Sequence, residues 1–119
     1  MKITLIGAGY VGLVSGVCFS DFGHDVVCVD KHAGKLARLQ AGEVPIYEPG
    51  REDLMARNVE AGRLTFTGDL AKAVGEADAV FIAVGTPTRR GDGHADLTYV
   101  FEAAKQIAQA MKGYTVVVS

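Results

Sequence analysis

Three glycines near the start of the chain have the spacing of a phosphate-binding turn. Gly7, Gly9 and Gly12 form a G-x-G-x-x-G pattern directly after the strand-like run KITLI, residues 2–6. In such a turn the first glycine permits a tight bend, the second lets the backbone approach a pyrophosphate, and the third lets the following helix lie close to the strand. The N-terminus of that helix offers free N–H groups and a partial positive charge to the phosphates. The pattern therefore predicts a dinucleotide site.

A carboxylate at the end of the next strand-like run supports this prediction. Asp30 ends the run DVVCVD, residues 25–30, and lies eighteen residues after Gly12. There it can accept hydrogen bonds from both ribose hydroxyls of an adenosine and repel a 2′-phosphate, which favours NAD over NADP. Lys31 and Lys35 weaken this preference, because a nearby cation can tolerate the phosphate. Two structural alternatives stay open, namely a glycine turn used only for packing and Asp30 as the cap of the next helix.

Strand-like and helix-like segments alternate along the chain and must position these residues. The strand-like segments are residues 2–6, 25–30, 63–68, 78–85 and 114–119, and the helix-like segments are residues 10–22, 31–42, 51–62, 70–77 and a long one that follows Asp96. Continuous apolar strands between amphipathic helices predict a parallel sheet covered on both faces. We therefore expect one α/β domain over residues 1–119, a doubly wound Rossmann-type sheet of about five strands in the order 3-2-1-4-5.

Glycines and aspartates mark the predicted helix boundaries. Helices are expected to end at Gly23, Gly42 and Gly62, and Asp69 and Asp96 are the expected N-caps. Leu36 and Leu39 share one face of the second helix, Gly16 is expected to extend the close packing of the first helix, and the last helix is expected to bury a stripe of Val100, Ala104, Ile107, Ala108 and Met111.

The composition is that of a soluble globular protein, with 49% hydrophobic and 22% charged residues and a net charge of −2. No run of Lys or Arg exceeds two residues, so phosphate-driven binding of nucleic acid is not expected. The longest apolar run, AVFIAVG, is too short to cross a bilayer, and glycines interrupt the stretch that resembles a signal peptide. Two cysteines do not make a disulfide framework, and we expect a cytoplasmic location.

Other residues that could do chemistry have plainer interpretations. Cys18 falls inside the first helix and Cys28 in the middle of a buried strand, and buried cysteines without a cationic neighbour are packing residues. Asp92, His94 and Asp96 alternate along a glycine-containing loop, which is a poor set of metal ligands. We therefore expect no metal site, and no catalytic residue can be named within this chain.

Three motifs carry a family resemblance over essentially all 119 residues. They are GAGYVG at 7–12, PIYEPG at 45–50, and VGTPT at 84–88 followed by GDGHADLTYV at 91–100. In this order they resemble the N-terminal NAD-binding domain of the UDP-glucose/GDP-mannose dehydrogenase family. The resemblance implies an enzyme that oxidises the C6 hydroxymethyl group of UDP-glucose to a carboxylate with two NAD, using a cysteine of a later domain. It also implies that the chain is a fragment of a longer homo-oligomer and is inactive alone.

The resemblance carries over to individual positions. The implied cofactor contacts are Gly7, Ala8, Gly9, Tyr10, Val11, Gly12, Asp30, Lys35, Val84, Gly85 and Thr86. For Tyr47, Glu48 and Pro49, a contact to cofactor or substrate and a simple packed turn are equally good interpretations. Three other functions stay open: a sister enzyme acting on GDP-mannose or a UDP-N-acetylhexosamine, a stand-alone NAD-binding module, and a doubly wound domain that binds no dinucleotide.

Overall fold

The computed structural model describes residues 1–41, 51–84, 98–111 and 115–118, and of Tyr10 and residues 51–53 the backbone only. Its elements are β1 (Lys2–Ile6), α1 (Tyr10–Asp21), β2 (Asp25–Val29), α2 (Ala33–Gln40), α3 (Arg51–Glu60), β3 (Leu64–Thr67), α4 (Leu70–Glu76), β4 (Ala79–Ile82), α5 (Thr98–Ala110) and β5 (Val116–Val118). The predicted alternation of strands and helices is confirmed, with boundaries that differ by a few residues at most.

The five strands form one parallel sheet in the order β3-β2-β1-β4-β5. The predicted order and the doubly wound architecture are confirmed. β1 is central, and its last residue, Ile6, is in register with Val29 of β2 and Ile82 of β4. The carboxyl ends of β1, β2 and β4 therefore meet at one edge of the sheet. The connections reverse direction between β1 and β4, which is where ligands bind in such sheets.

Apolar clusters cover both faces of the sheet, as the continuous strand hydrophobicity predicted. On one face Leu13 of α1, Leu39 of α2 and Met55 of α3 pack with strand residues that include Leu5. On the other face α4 and α5 pack against β1 and β4, with Ile107 of α5 buried in that cluster. Leu36 packs partly buried beside Leu39, which confirms the predicted inner face of α2.

The predicted inner face of α5 is partly wrong. Ile107 is buried as expected, but Ala104 and Ala108 are exposed. Val100 and Met111 are half-buried as predicted, whereas Ala103 and Ala110 take the inner positions expected for Ala104 and Ala108. Alanines at adjacent positions fit either face of the helix equally well. Their pattern alone therefore does not decide which face packs on α4.

The predicted helix ends are confirmed where the structure describes them. Gly23 has φ +101 after α1, and the amide of His24 donates to the carbonyl of Phe19 at 3.3 Å. This is the Schellman arrangement that glycine favours at a helix C-terminus. Asp69 caps α4 by accepting a hydrogen bond from the amide of Lys72 at 3.1 Å. The expected boundaries at Gly42 and Asp96 lie outside the described residues.

A buried amide joins α1, α3 and the residue that precedes β3. Asn58 is fully buried, and its Nδ2 donates to the carbonyl of Leu54 at 2.8 Å and to Asp21 Oδ1 at 3.3 Å. Its Oδ1 accepts from Nε of Arg63 at 3.0 Å. The side chain therefore satisfies polar groups of α1, of α3 and of the turn before β3 at once.

We expect Asn58→Ala to lower the free energy of unfolding by about 1–3 kcal/mol, because it leaves buried donors and acceptors without partners. Denaturant unfolding followed by circular dichroism measures the change. Arg57→Ala is the control, because Arg57 pairs with the same Asp21 at 3.5 Å but is 64% exposed. Exposed pairs contribute at most about 1 kcal/mol. Equal losses in the two variants would contradict this role for Asn58.

Candidate functional site

The turn between β1 and α1 is shaped by glycines that admit no side chain. Gly7 has φ +110, and a Cβ there would lie 2.7 Å from the carbonyl oxygen of Ala83. A Cβ on Gly12 would collide with the carbonyl oxygen of Gly7. These two positions therefore let β1, β4 and α1 meet closely. A Cβ on Gly16 would lie 3.0 Å from Cys28 Sγ, which confirms the predicted close packing of α1 on the sheet.

Gly9 differs from its neighbours because it faces open space. It is the N-cap of α1, and a Cβ built on it meets nothing within 4 Å. No acidic residue lies in the first turn of α1, and no side chain caps it. The first amides of a helix have no partner within the helix. The backbone at Gly9 therefore offers an accessible surface of N–H groups and positive potential that suits a pyrophosphate.

Asp30 ties the glycine turn to the beginning of α2. Its Oδ2 accepts from the amide of Ala8 at 3.0 Å, and its Oδ1 accepts from the amide of His32 at 3.0 Å. Nζ of Lys35 lies 3.4 Å from Oδ2, and the Asp30 side chain is only 9% exposed. A carboxylate can accept about four hydrogen bonds. These contacts therefore leave room for a ribose hydroxyl, and a second one can replace Lys35.

The electrostatic environment keeps Asp30 ionised. Burial alone would raise the pKa of its carboxyl, but the amides of His32 and Ala8 and the ammonium of Lys35 outweigh burial and lower the pKa. A carboxyl whose pKa is lowered on folding stabilises the protein above its unfolded pKa. That contribution is lost as the pH falls through the lowered value. At neutral pH the Asp30 carboxylate is therefore ionised, with the ammonium of Lys35 as its counter-ion.

A cavity of about 500 Å³ lies over the carboxyl ends of β1, β2 and β4. Of the residues that the sequence predicted for the cofactor, those lining it are Gly7, Ala8, Gly9, Asp30, Lys35 and Val84. Gly12 shapes the turn without lining the cavity, and Val11 is 66% exposed at the start of α1. Gly85 and Thr86 lie outside the described residues, as do Tyr47, Glu48, Pro49, Asp92, His94 and Asp96.

Sequence reasoning missed the opposite wall of this cavity. That wall consists of Gly68 and Leu70 before and in α4, and Tyr99, Ala103 and Gln106 of α5. The three α5 positions are spaced by four and three residues, which is the spacing of one helix face. This periodicity was the available signal, but nothing in it indicates that the face borders a cavity.

The two cysteines have different environments. Cys28 is fully buried, and burial, with a smaller effect of the Asp30 charge, raises the pKa of its thiol to about 12. Such a thiol is protonated and unreactive, which agrees with its interpretation as a packing residue. Cys18 is exposed, so the interpretation that it is buried is wrong. The side chains of α1 itself are apolar on every face of the helix. The sequence pattern therefore does not identify which face is exposed.

None of the helices that the structure describes combines the length and the apolar character needed to cross a bilayer.

The parallel sheet, the glycine turn at its switch point and the carboxylate at the end of β2 together define a Rossmann-type dinucleotide-binding domain.

Residues 1–119 match the model of the NAD binding domain of the UDP-glucose/GDP-mannose dehydrogenase family. The chain therefore belongs to this family, and the predicted resemblance, fold class and cofactor are confirmed.

Named relatives agree with this assignment. A UDP-glucose 6-dehydrogenase of Rhizobium meliloti (strain 1021) is 67% identical over 119 residues, which are 100% of this chain and 27% of the relative. The UDP-glucose 6-dehydrogenase TuaD of Bacillus subtilis (strain 168) is 52% identical over 99% of this chain and 25% of its own length. The chain thus spans about a quarter of the length of these curated relatives.

Solved structures show the same fold. A ternary complex of GDP-mannose dehydrogenase from Pseudomonas aeruginosa superimposes with a TM-score of 0.91 and 40% identity, covering 99% of this chain and 28% of that one. A UDP-glucose dehydrogenase from Pyrobaculum islandicum gives a TM-score of 0.84 and 44% identity, covering 91% of this chain and 25% of that one.

Proposed function

We propose that this chain holds NAD in the cavity over the carboxyl edge of the sheet. The observation that carries the proposal is that the open backbone at Gly9 and the ionised Asp30 border one cavity of about 500 Å³. The proposed contacts are Gly7, Ala8, Gly9, Tyr10, Val11, Gly12, Asp30, Lys35, Val84, Gly85 and Thr86. The absent Cβ at Gly9 leaves space where a phosphate can approach the backbone, so the residues present fit the cofactor.

Each part of the site has a separate task in holding the cofactor. The amides at the start of α1 bind the pyrophosphate, and Asp30 accepts hydrogen bonds from the adenosine ribose. Nζ of Lys35 lies 3.4 Å from the Asp30 carboxylate and helps to keep it ionised. The nicotinamide, when bound, accepts a hydride from the alcohol or aldehyde carbon of the substrate. The proposed task of this chain is to bind and orient the dinucleotide.

We further propose that the parent enzyme oxidises UDP-glucose to UDP-glucuronate with two NAD, as a cytoplasmic homo-oligomer. The support for UDP-glucose is the 67% identity to the Rhizobium meliloti enzyme, against 40% for the GDP-mannose dehydrogenase structure. An assay of the parent enzyme with UDP-glucose, GDP-mannose and a UDP-N-acetylhexosamine tests the choice. NADH formation should be fastest with UDP-glucose, and faster turnover of another sugar nucleotide would overturn it.

Calorimetric titration of the purified protein with NAD, NADP and UDP-glucose, each alone, tests the cofactor site. We expect saturable NAD binding and much weaker binding of NADP, because the ionised Asp30 repels a 2′-phosphate. UDP-glucose should give little heat with the 119-residue chain. Failure of NAD to bind, or equal affinity for NADP, would contradict the proposed site.

A further inference from the structure

One face of α5 borders the same cavity as Asp30. Tyr99, Ala103 and Gln106 line it along about two turns of the helix. Tyr99 is 53% exposed, Ala103 is 5% exposed, and Gln106 is half-buried. The face therefore consists of an aromatic ring, then a small residue that leaves space, then an amide. None of these residues was singled out as a cofactor contact from the sequence.

The orientation of the Gln106 amide follows from its partner. Its Nε2 donates to Oε1 of Glu102 at 3.2 Å. An ionised carboxylate only accepts hydrogen bonds, so the amide nitrogen must face Glu102. The amide oxygen is consequently the group that Gln106 can offer to a ligand. An oxygen acceptor selects for a donor such as an amino group.

We propose that α5 recognises the adenine of the dinucleotide, with Tyr99 stacking on the ring and Gln106 Oε1 accepting a hydrogen bond from the exocyclic amino group. This inference rests on the proposed NAD site, because the ribose held by Asp30 carries that base. The base must then lie in the cavity that Asp30 and α5 share. Aromatic rings stack on any base, whereas hydrogen bonds to base edges distinguish one base from another. Gln106 is therefore the residue that determines base specificity.

Nicotinamide hypoxanthine dinucleotide provides the test, since it carries a carbonyl oxygen in place of the adenine amino group and a hydrogen on the adjacent ring nitrogen N1. The protein should bind NAD about tenfold more tightly than it binds the analogue. In the analogue a carbonyl oxygen would face Gln106 Oε1, and both of these oxygens are acceptors. Gln106→Leu should bring the ratio of the affinity for NAD to the affinity for the analogue close to one. Gln106→Lys, which replaces an acceptor with a donor, should invert the preference. Gln109→Leu is the matched control, because Gln109 is exposed on the same helix and does not line the cavity.

Tyr99 variants test the stacking contact separately. Tyr99→Ala should weaken both dinucleotides alike by roughly tenfold, and Tyr99→Phe should retain the affinity for both. An unchanged affinity ratio in Gln106→Leu, or no preference in the wild-type protein, would overturn the base-reading role while NAD binding stands. Failure of the wild-type protein to bind NAD would instead overturn the proposed function on which this inference rests.

Discussion

Gly9→Ala should abolish high-affinity NAD binding while leaving the fold intact. The added methyl group meets no protein atom within 4 Å, and the backbone at Gly9, with φ −76 and ψ −170, is open to any residue. In the proposed complex, however, this methyl group occupies the space through which the pyrophosphate approaches the first amides of α1. Each hydrogen bond to a charged group contributes about 1.5–3 kcal/mol. Loss of two such bonds lowers the affinity more than about a hundredfold. Calorimetry with NAD measures this loss.

Two other glycines make the result interpretable. Gly34→Ala is the matched control, because a Cβ there also meets nothing within 4 Å and Gly34 does not line the cavity. It should leave both melting temperature and NAD affinity near wild type. Gly12→Ala should instead lower the melting temperature, since its Cβ collides with the Gly7 carbonyl. If Gly9→Ala bound NAD like the wild-type protein, the proposed approach of the pyrophosphate to this turn would be wrong.

Asp30→Ala should weaken NAD binding roughly ten- to a hundredfold, the expected cost of losing hydrogen bonds to a charged acceptor. It also removes the acceptor for the amides of Ala8 and His32, so the melting temperature should fall. Lys35 loses its partner in this variant and becomes available to a phosphate. The preference for NAD over NADP should consequently shrink or reverse, and titration with both dinucleotides measures it.

Asp69→Ala separates the ribose contact from general destabilisation. Asp69 is also an aspartate that accepts from a backbone amide, in this case that of Lys72 at 3.1 Å, but it does not line the cavity. Loss of such a cap costs about 1 kcal/mol of stability. It should leave the NAD affinity unchanged at temperatures well below the melting point. Equal losses of affinity in the two variants would show that Asp30 acts only through stability.

The fold could be predicted because its signals are local and agree with one another. Apolar runs such as DVVCVD are continuous because both faces of a parallel strand are covered, and the helices between them carry their own end signals. The sequence alone predicts a separate task for each of Gly7, Gly9 and Gly12, since each task follows from the absence of a Cβ. The contacts of Gly7 and Gly12 agree with their tasks, and Gly9 faces the open space that its predicted task requires.

The far wall of the cavity could not be predicted, because it exists only after α4 and α5 pack together. Tyr99 and Gln106 are ordinary residues of an amphipathic helix until that packing places them opposite Asp30. The exposure of Ala104 arises in the same way, since only the contact with α4 selects one of two similar helix faces. From the sequence alone, Lys35 could be a free cation that accepts a 2′-phosphate. In the fold, its ammonium is paired with the Asp30 carboxylate.

Several residues that border the cavity belong to neither apolar core, and this has an evolutionary consequence. Residues such as Gln106 and Lys35 border the cavity above the cores, so their exchange opens no hole in either core. Gly7 and Gly12 have no such freedom, because their bare Cα atoms are what allows β1, β4 and α1 to meet. Descendants of this domain can therefore change which base or ribose they prefer far more readily than where they hold the phosphates.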